Sequence, residues 1–292
     1  MNKKFLIFLA LVISLVFLVT LSWPDKKLHV VACDVGQGDA FLIIHSNDQV
    51  LVDSGPGAKV LDCLSRYLPF WDRTLEMVIL THPQKDHYGG LDDVFEHYNV
   101  GAIVATSLES GSEEYQVLEK MVGDQSSEVI RPVSGRRVRV GLISLDILWP
   151  SQEFLSAANL SSDSSVLGMS TTGDDPNEFS VVFELDYGDF EALFTGDIGP
   201  QIQYMILAQQ NLNDIELIKV PHHGSKNGLT EDLLEATKPE VAFIGVGKNS
   251  WGHPHREVLD ILHKYGVDVY RTDSNSYFEL VTDGKTWWIN NP

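Results

Sequence analysis

Cysteine is nearly absent from the 292 residues. Cys33 lies in an apolar strand pattern and Cys63 in an amphipathic helix pattern, which predicts two buried thiols. A single bridge stays open for an exported domain, but the spacing gives it no support. Positive charge is scarce as well: 21 basic side chains face 41 acidic ones, a net charge of -20. Such a surface repels nucleic acid at long range and excludes unaided coating of DNA. It leaves room for an enzyme whose local cations draw in a phosphate. Missing too are a repeat of solenoid period and a G-x-S-x-G nucleophile elbow. Gly36-Gln37-Gly38 has no third glycine and runs into a strand, so it is not a dinucleotide loop. Ser225 stands beside His223, but an adjacent residue is poorly placed to act as a serine's base. What is present, 43% hydrophobic and 21% charged residues, describes a globular chain with an ample core, in one large α/β domain or two small ones.

Residues 1–23 read as a signal peptide or membrane anchor. Lys3 and Lys4 precede a run from Phe5 to Leu21 that carries no charge. As a helix that run rises about 25 Å, marginal for a bilayer. The leading lysines place the body outside the cytoplasm, secreted or anchored by this segment. From Leu28 the pattern turns strand-rich, and helices and strands then alternate through residue 148. The serine- and aspartate-rich stretch 151–178 has no usable period and reads as a mobile loop insertion, either a surface feature or a lid. A hairpin over residues 179–195 restores order, followed by helix–strand alternation and three closing strands. Two strand-rich halves with interspersed helices suggest two sheets packed face to face, with helices outside.

Six of the ten histidines fall in three short clusters, His82/His87, His222/His223 and His253/His255. Each cluster follows a predicted strand and lies in a loop, where sites are commonly built. Core histidines would scatter among apolar positions instead. Imidazoles beside the carboxylate of Asp86 are ordinary ligands for a divalent metal. Asp197 sits just past a strand end, where a carboxylate can bridge two cations. Asp34, Asp39 and Asp53 occupy similar strand ends, and two readings stay open for them: turn residues beside glycines, or side chains that orient a ligand.

Thr81-His82-x-x-x-Asp86-His87-x-Gly89-Gly90, with Val52-Asp53-Ser54-Gly55 before it and Thr195-Gly196-Asp197 after it, resembles the metallo-β-lactamase superfamily. Asp34-Val35-Gly36-Gln37-Gly38-Asp39-Ala40, Val220-Pro221-His222-His223-Gly224-Ser225 and Gly252-His253-Pro254-His255 narrow the resemblance to the soluble hydrolase domain of ComEC/Rec2-type DNA-uptake proteins. It covers about residues 28–290. It implies an α/β fold, a four-layer αββα sandwich over residues 28–292, preceded here by one N-terminal apolar helix. It further implies one or two divalent ions, zinc or manganese. His82 would hold the first ion, Asp86 and His87 the second, and Asp197 would bridge them. His222 or His223 would complete the second. His253 and His255 would flank the substrate, with Asp86 as the third catalytic group. Asp34, Asp39, Asp53, Asn177 and Ser225 would act from a second layer or on the substrate. Gln84 stands where the superfamily often has histidine and the uptake branch aspartate, which weakens the first ion's site. The implied reaction is phosphodiester hydrolysis, with DNA among the candidate substrates and a membrane contacted through the N-terminal segment. Two other readings stay beside it: a hydrolase of small esters, lactones or cell-wall phosphoesters, and a non-catalytic binding module.

Overall fold

The computed structural model describes residues 3–21, 24–108, 110–158 and 175–290. The strands are β1 (Leu28–Ala32), β2 (Phe41–His45), β3 (Asp48–Val52), β4 (Thr74–Ile79), β5 (Asn99–Val104), β6 (Glu128–Ile130), β7 (Arg137–Val140) and β8 (Ile143–Trp149). They continue with β9 (Val182–Tyr187), β10 (Phe190–Phe194), β11 (Leu217–Lys219), β12 (Val241–Ile244), β13 (Asp268–Arg271), β14 (Phe278–Thr282) and β15 (Trp287–Asn290). One sheet has the order β15-β14-β1-β2-β3-β4-β5-β6 and the other β13-β12-β11-β10-β9-β8-β7.

Each sheet is antiparallel in one part and parallel in the other. The parallel parts are β3-β4-β5-β6 and β10-β11-β12-β13. Parallel neighbours need crossovers, and these are mostly the helices that cover the outer faces. Side chains of β1 alternate accordingly: Leu28, Val30 and Ala32 point into the core between the sheets. Val31, and Cys33 just beyond the strand, point to the outer layer with Val60, Cys63 and Leu64 of helix Lys59–Tyr67. Ile202, Leu233 and Val258 cover the second sheet in the same way. The result is four layers, helix–sheet–sheet–helix, as the paired strand-rich halves predict.

Three expectations change. Cys33 and Cys63 are not free thiols but a disulfide, with Cα atoms 5.6 Å apart. The sequence spacing hid this because the link joins the end of a strand to a helix packed on it. Stretch 151–178 is not all loop. Helix Gln152–Ala157 opens it, capped where the Ser151 hydroxyl accepts from the Phe154 N–H and anchored by buried Leu155. A 3₁₀ turn, Pro176–Phe179, closes it, and residues 159–174 lie outside the described residues. Helix Lys3–Leu21 forms, and Phe5, Ile7, Phe8 and Leu11 along it are exposed. Among the described residues, however, no helix is long and apolar enough to cross a membrane.

The β9–β10 hairpin carries a pH-dependent load. Glu184, Asp186 and Glu191 bring carboxylate oxygens within 4.8 Å of one another. Burial, with Glu191 and Asp186 nearby, pushes Glu184 up to about 7. An acid raised on folding favours the folded state below its unfolded pKa, and the benefit disappears as pH climbs to the folded value. Stability is therefore lost as pH rises from ~4.5 to ~7, and the full cost of the cluster is present above that window. Glu184→Gln is expected to raise the melting temperature at pH 8, with the gain shrinking towards pH 5. An equal shift at both pH values in thermal melts would refute this.

Candidate metal centre

The site assembles at the C-terminal ends of parallel strands, where loops from both sheets meet. The loop after β4 delivers Thr81, His82, Asp86 and His87. The turn after β3 delivers Asp53, whose backbone is left-handed at φ 56°. Its carboxylate accepts from the Thr81 N–H at 2.8 Å, the Thr81 hydroxyl at 2.7 Å and His87 Nδ1 at 2.8 Å. These bonds fix the His87 ring and leave Nε2 aimed at the site. On the other sheet, Asp197 follows β10. Its N–H donates to Ser180 Oγ at 3.0 Å. The turn after β11 places His222 and His223 in successive left-handed conformations, φ 50° and 52°. This swings His223 inward, where Nδ1 donates to the Gly245 carbonyl at 2.8 Å, while His222 stays at the rim.

Asp197 Oδ2 lies 3.3 Å from His87 Nε2 and 3.3 Å from His223 Nε2. Asp86 Oδ2 is 3.4 Å from the same His223 nitrogen. The His82 ring is 4.1 Å from that of His87, with Nδ1 beside Thr81 Oγ1 and Ser180 Oγ. Nε2 of His82, His87 and His223 are all buried without a hydrogen bond of sound geometry. Such orphaned nitrogens are costly unless something binds them.

The structure draws Asp39 into this group. Loop 34–40 passes so close that a side chain on Gly38 would overlap the Asp86 carbonyl, and the Asp39 N–H donates to that carbonyl at 3.2 Å. Asp39 Oδ1 is 3.3 Å from His223 Nδ1. Asp39 also pairs with Lys219, a buried ammonium that donates to Asp197 Oδ1 at 3.0 Å and the Gly196 carbonyl at 2.7 Å. Sequence reasoning missed Lys219. Its one signal was a lysine inside the apolar run Leu217-Ile218-Lys219-Val220, just before the paired histidines.

Asp39, Asp86 and Asp197, all held below the usual carboxylate range, stand against one permanent cation, Lys219, while burial raises Asp53. Burial opposes charge on Asp197, but His223, Lys219 and His87 outweigh it and hold its carboxyl well below the usual range. Burial likewise opposes protonation of His223, and Asp197 and Asp39 overcome it, lifting the ring to about 10. His87 moves the same way, raised against its burial by Asp197 and Asp53. His82, desolvated and beside His87, falls to about 3 and is neutral. The pocket thus demands positive charge and presents unpaired imidazole nitrogens. Asp39, His87, Asp197 and His223 converge closely enough to hold one ion, and this donor set suits a divalent cation.

His253 stands at the mouth, its ring 5.7 Å from His222 and 5.4 Å from His255. Burial, and then the neighbouring imidazoles, lower it to about 4, so it is neutral at pH 7. The other expected residues lie less centrally. Asp34 accepts from Ser276 Oγ at 3.3 Å. Gln84 caps the turn Lys85–Tyr88, its carbonyl accepting from the His87 and Tyr88 N–H groups. Asn177 is buried, with Oδ1 lacking a hydrogen bond. Ser225 ends the histidine turn through its N–H to the His222 carbonyl.

Residues 33–154 match the sequence model of the metallo-beta-lactamase superfamily. The chain is 27% identical over 270 residues to ComE operon protein 3 of Bacillus subtilis, covering 83% of this chain and 31% of that protein. It is 28% identical over 246 residues to Recombination protein 2 of Haemophilus influenzae, covering 82% and 27%. It therefore spans less than a third of the length of these relatives. Among solved structures it is similar to the metallo-beta-lactamase fold protein YhfI from Bacillus subtilis, with a TM-score of 0.55 and 13% identity over 87% of this chain and 100% of that one. At that identity the likeness shows the fold alone.

Proposed function

We propose that this chain, which carries the metallo-β-lactamase fold and resembles the hydrolase domain of ComEC/Rec2-type competence proteins, is a metal-dependent phosphodiesterase. The observation that carries the reading is the convergence of two orphaned imidazole nitrogens, Nε2 of His87 and of His223, on the carboxylate of Asp197. His87, His223 and Asp197 would hold a divalent ion with Asp86 or Asp39, and His82 stands ready for a second. Such an ion, when bound, supplies the acidity that makes water a nucleophile near neutral pH.

The chain's own residues do the rest. Asp86 is at the mouth; burial opposes its charge, but His223 and His87 outweigh it and keep it ionised. It can accept a hydrogen bond from an attacking water and hold that water in line. Asp53 locks the His87 ring. His253, neutral, can donate one hydrogen bond to a phosphoryl or leaving-group oxygen. The phosphodiester is supported by the competence relatives, and DNA is the corresponding macromolecular candidate.

The net charge of -20 favours a second reading, hydrolysis of a small ester or lactone. Purified protein loaded with Mn²⁺ or Zn²⁺ is to be assayed against bis(p-nitrophenyl) phosphate, single-stranded DNA and a lactone panel. Turnover of phosphodiesters that Asp86→Ala lowers by about 100-fold or more is the expected result. Lactone turnover with phosphodiesters untouched would replace the first reading by the second.

An extracytoplasmic location belongs to the same proposal. It is supported by the Cys33–Cys63 bridge, since such bonds persist in oxidising compartments, and by Lys3 and Lys4 ahead of an apolar segment.

A further inference from the structure

The loop between β12 and helix Arg256–Lys264 does more than carry His253 and His255. At its tip Trp251 is 64% exposed, although burying an indole removes a large apolar surface from water. The loop that holds it out is built by one side chain. Asn249 Oδ1 accepts from the N–H groups of Trp251 at 3.1 Å, Gly252 at 2.8 Å and His253 at 3.0 Å. Its Nδ2 donates to the carbonyls of Gly247 and His253 at 2.9 and 2.8 Å. The indole is therefore presented on a braced backbone.

Its position ties it to the metal centre. The Trp251 ring lies 6.2 Å from that of His253 at 30°, and His253 is 6.5 Å from His223. One imidazole separates the exposed aromatic from the cluster. A substrate with its phosphorus at the cluster would extend an adjoining group across His253 to this ring.

We propose that Trp251 is a stacking platform for an unpaired nucleobase next to the scissile phosphodiester. Every base offers a flat π-face, so stacking works without regard to sequence. It also works without positive charge, which this chain lacks on balance. In a duplex both faces of a base are covered, so the subsite selects single strands or nucleotides over paired DNA.

The inference rests on the phosphodiesterase reading, and the test separates the two. Metal-loaded full-length wild type, Trp251→Ala and Trp251→Phe are compared on a short single-stranded oligonucleotide and on its abasic counterpart, by cleavage kinetics and by fluorescence-anisotropy binding. Trp251→Ala is expected to weaken binding and raise KM for the base-bearing strand roughly 10-fold, leave the abasic strand unchanged and spare kcat. Trp251→Phe should recover most of the loss. Base-dependent binding lost in Trp251→Ala without cleavage of either strand would keep the stacking subsite and overturn the phosphodiesterase. Equal binding of both strands by wild type, or equal losses on both in Trp251→Ala, would overturn the subsite even if cleavage is observed.

Discussion

Replacing Asp197 by alanine is expected to abolish metal retention while leaving the fold standing. Its carboxylate is the common neighbour of His87, His223 and Lys219. Without it the two imidazoles keep their orienting bonds, to Asp53 and to the Gly245 carbonyl, but have no anion between them. Lys219 still pairs with Asp39, so the interior does not acquire an unpaired ammonium. Losing an outer partner of a metal ligand costs about 10- to 100-fold in affinity or activity, and a direct ligand should cost more. Metal analysis after gel filtration should find the variant essentially empty, with the proposed phosphodiesterase activity down more than ~100-fold and a far-UV spectrum like wild type. Full metal occupancy in the variant would show that the ion sits elsewhere. For the wild type, affinity should rise with pH. His223, lifted to about 10, and His87, raised likewise, must each release a proton to bind through nitrogen.

Lys219→Met should have the opposite signature, a loss of fold before a loss of metal chemistry. Lys219 is 3% exposed, and its partners Asp39 and Asp197 are buried with it. Removing one member of a buried ion pair leaves its partner's charge uncompensated and costs ~3–5 kcal/mol. For a domain of this size that is a fall in melting temperature on the order of 10 °C. Excess divalent cation should restore part of it, because the ion takes over the neutralisation of Asp197. Lys219→Arg is not a rescue, since a planar guanidinium needs more room than the buried ammonium has. A melting temperature within ~2 °C of wild type would mean that the buried carboxylates are satisfied some other way.

Much of this centre was legible in the chain because its ligand types are rare and clustered. Histidines paired in loops after apolar runs differ from core histidines, which scatter among apolar positions, and the hairpin, the closing strands and the covering helices announce themselves by period. Three-dimensional proximity was not legible. Asp39 and Asp34 look equivalent as carboxylates flanking a glycine loop, yet only Asp39 turns inward, because Gly38 lets the backbone lie against Asp86. His222 and His223 could not be ranked from sequence, since the choice is made by two left-handed residues in succession. Lys219 was invisible for a different reason. An ammonium in a strand reads as a solvent-facing residue until the carboxylates that meet it are known. Cys33 and Cys63 stand 30 positions apart, and only the packing of helix Lys59–Tyr67 on β1 makes them neighbours.

The two sheets contribute the centre in halves. Asp53, His82, Asp86 and His87 come from the first, and Asp197, Lys219 and His223 from the second. During synthesis the first 150 residues can therefore emerge, and even collapse, without a complete cage for an ion. An ion bound at the proposed centre would have to wait until the chain past residue 223 is out and its sheet has docked. An ion held by residues of both halves would therefore meet its complete set of ligands only in the compartment where the two sheets close on each other.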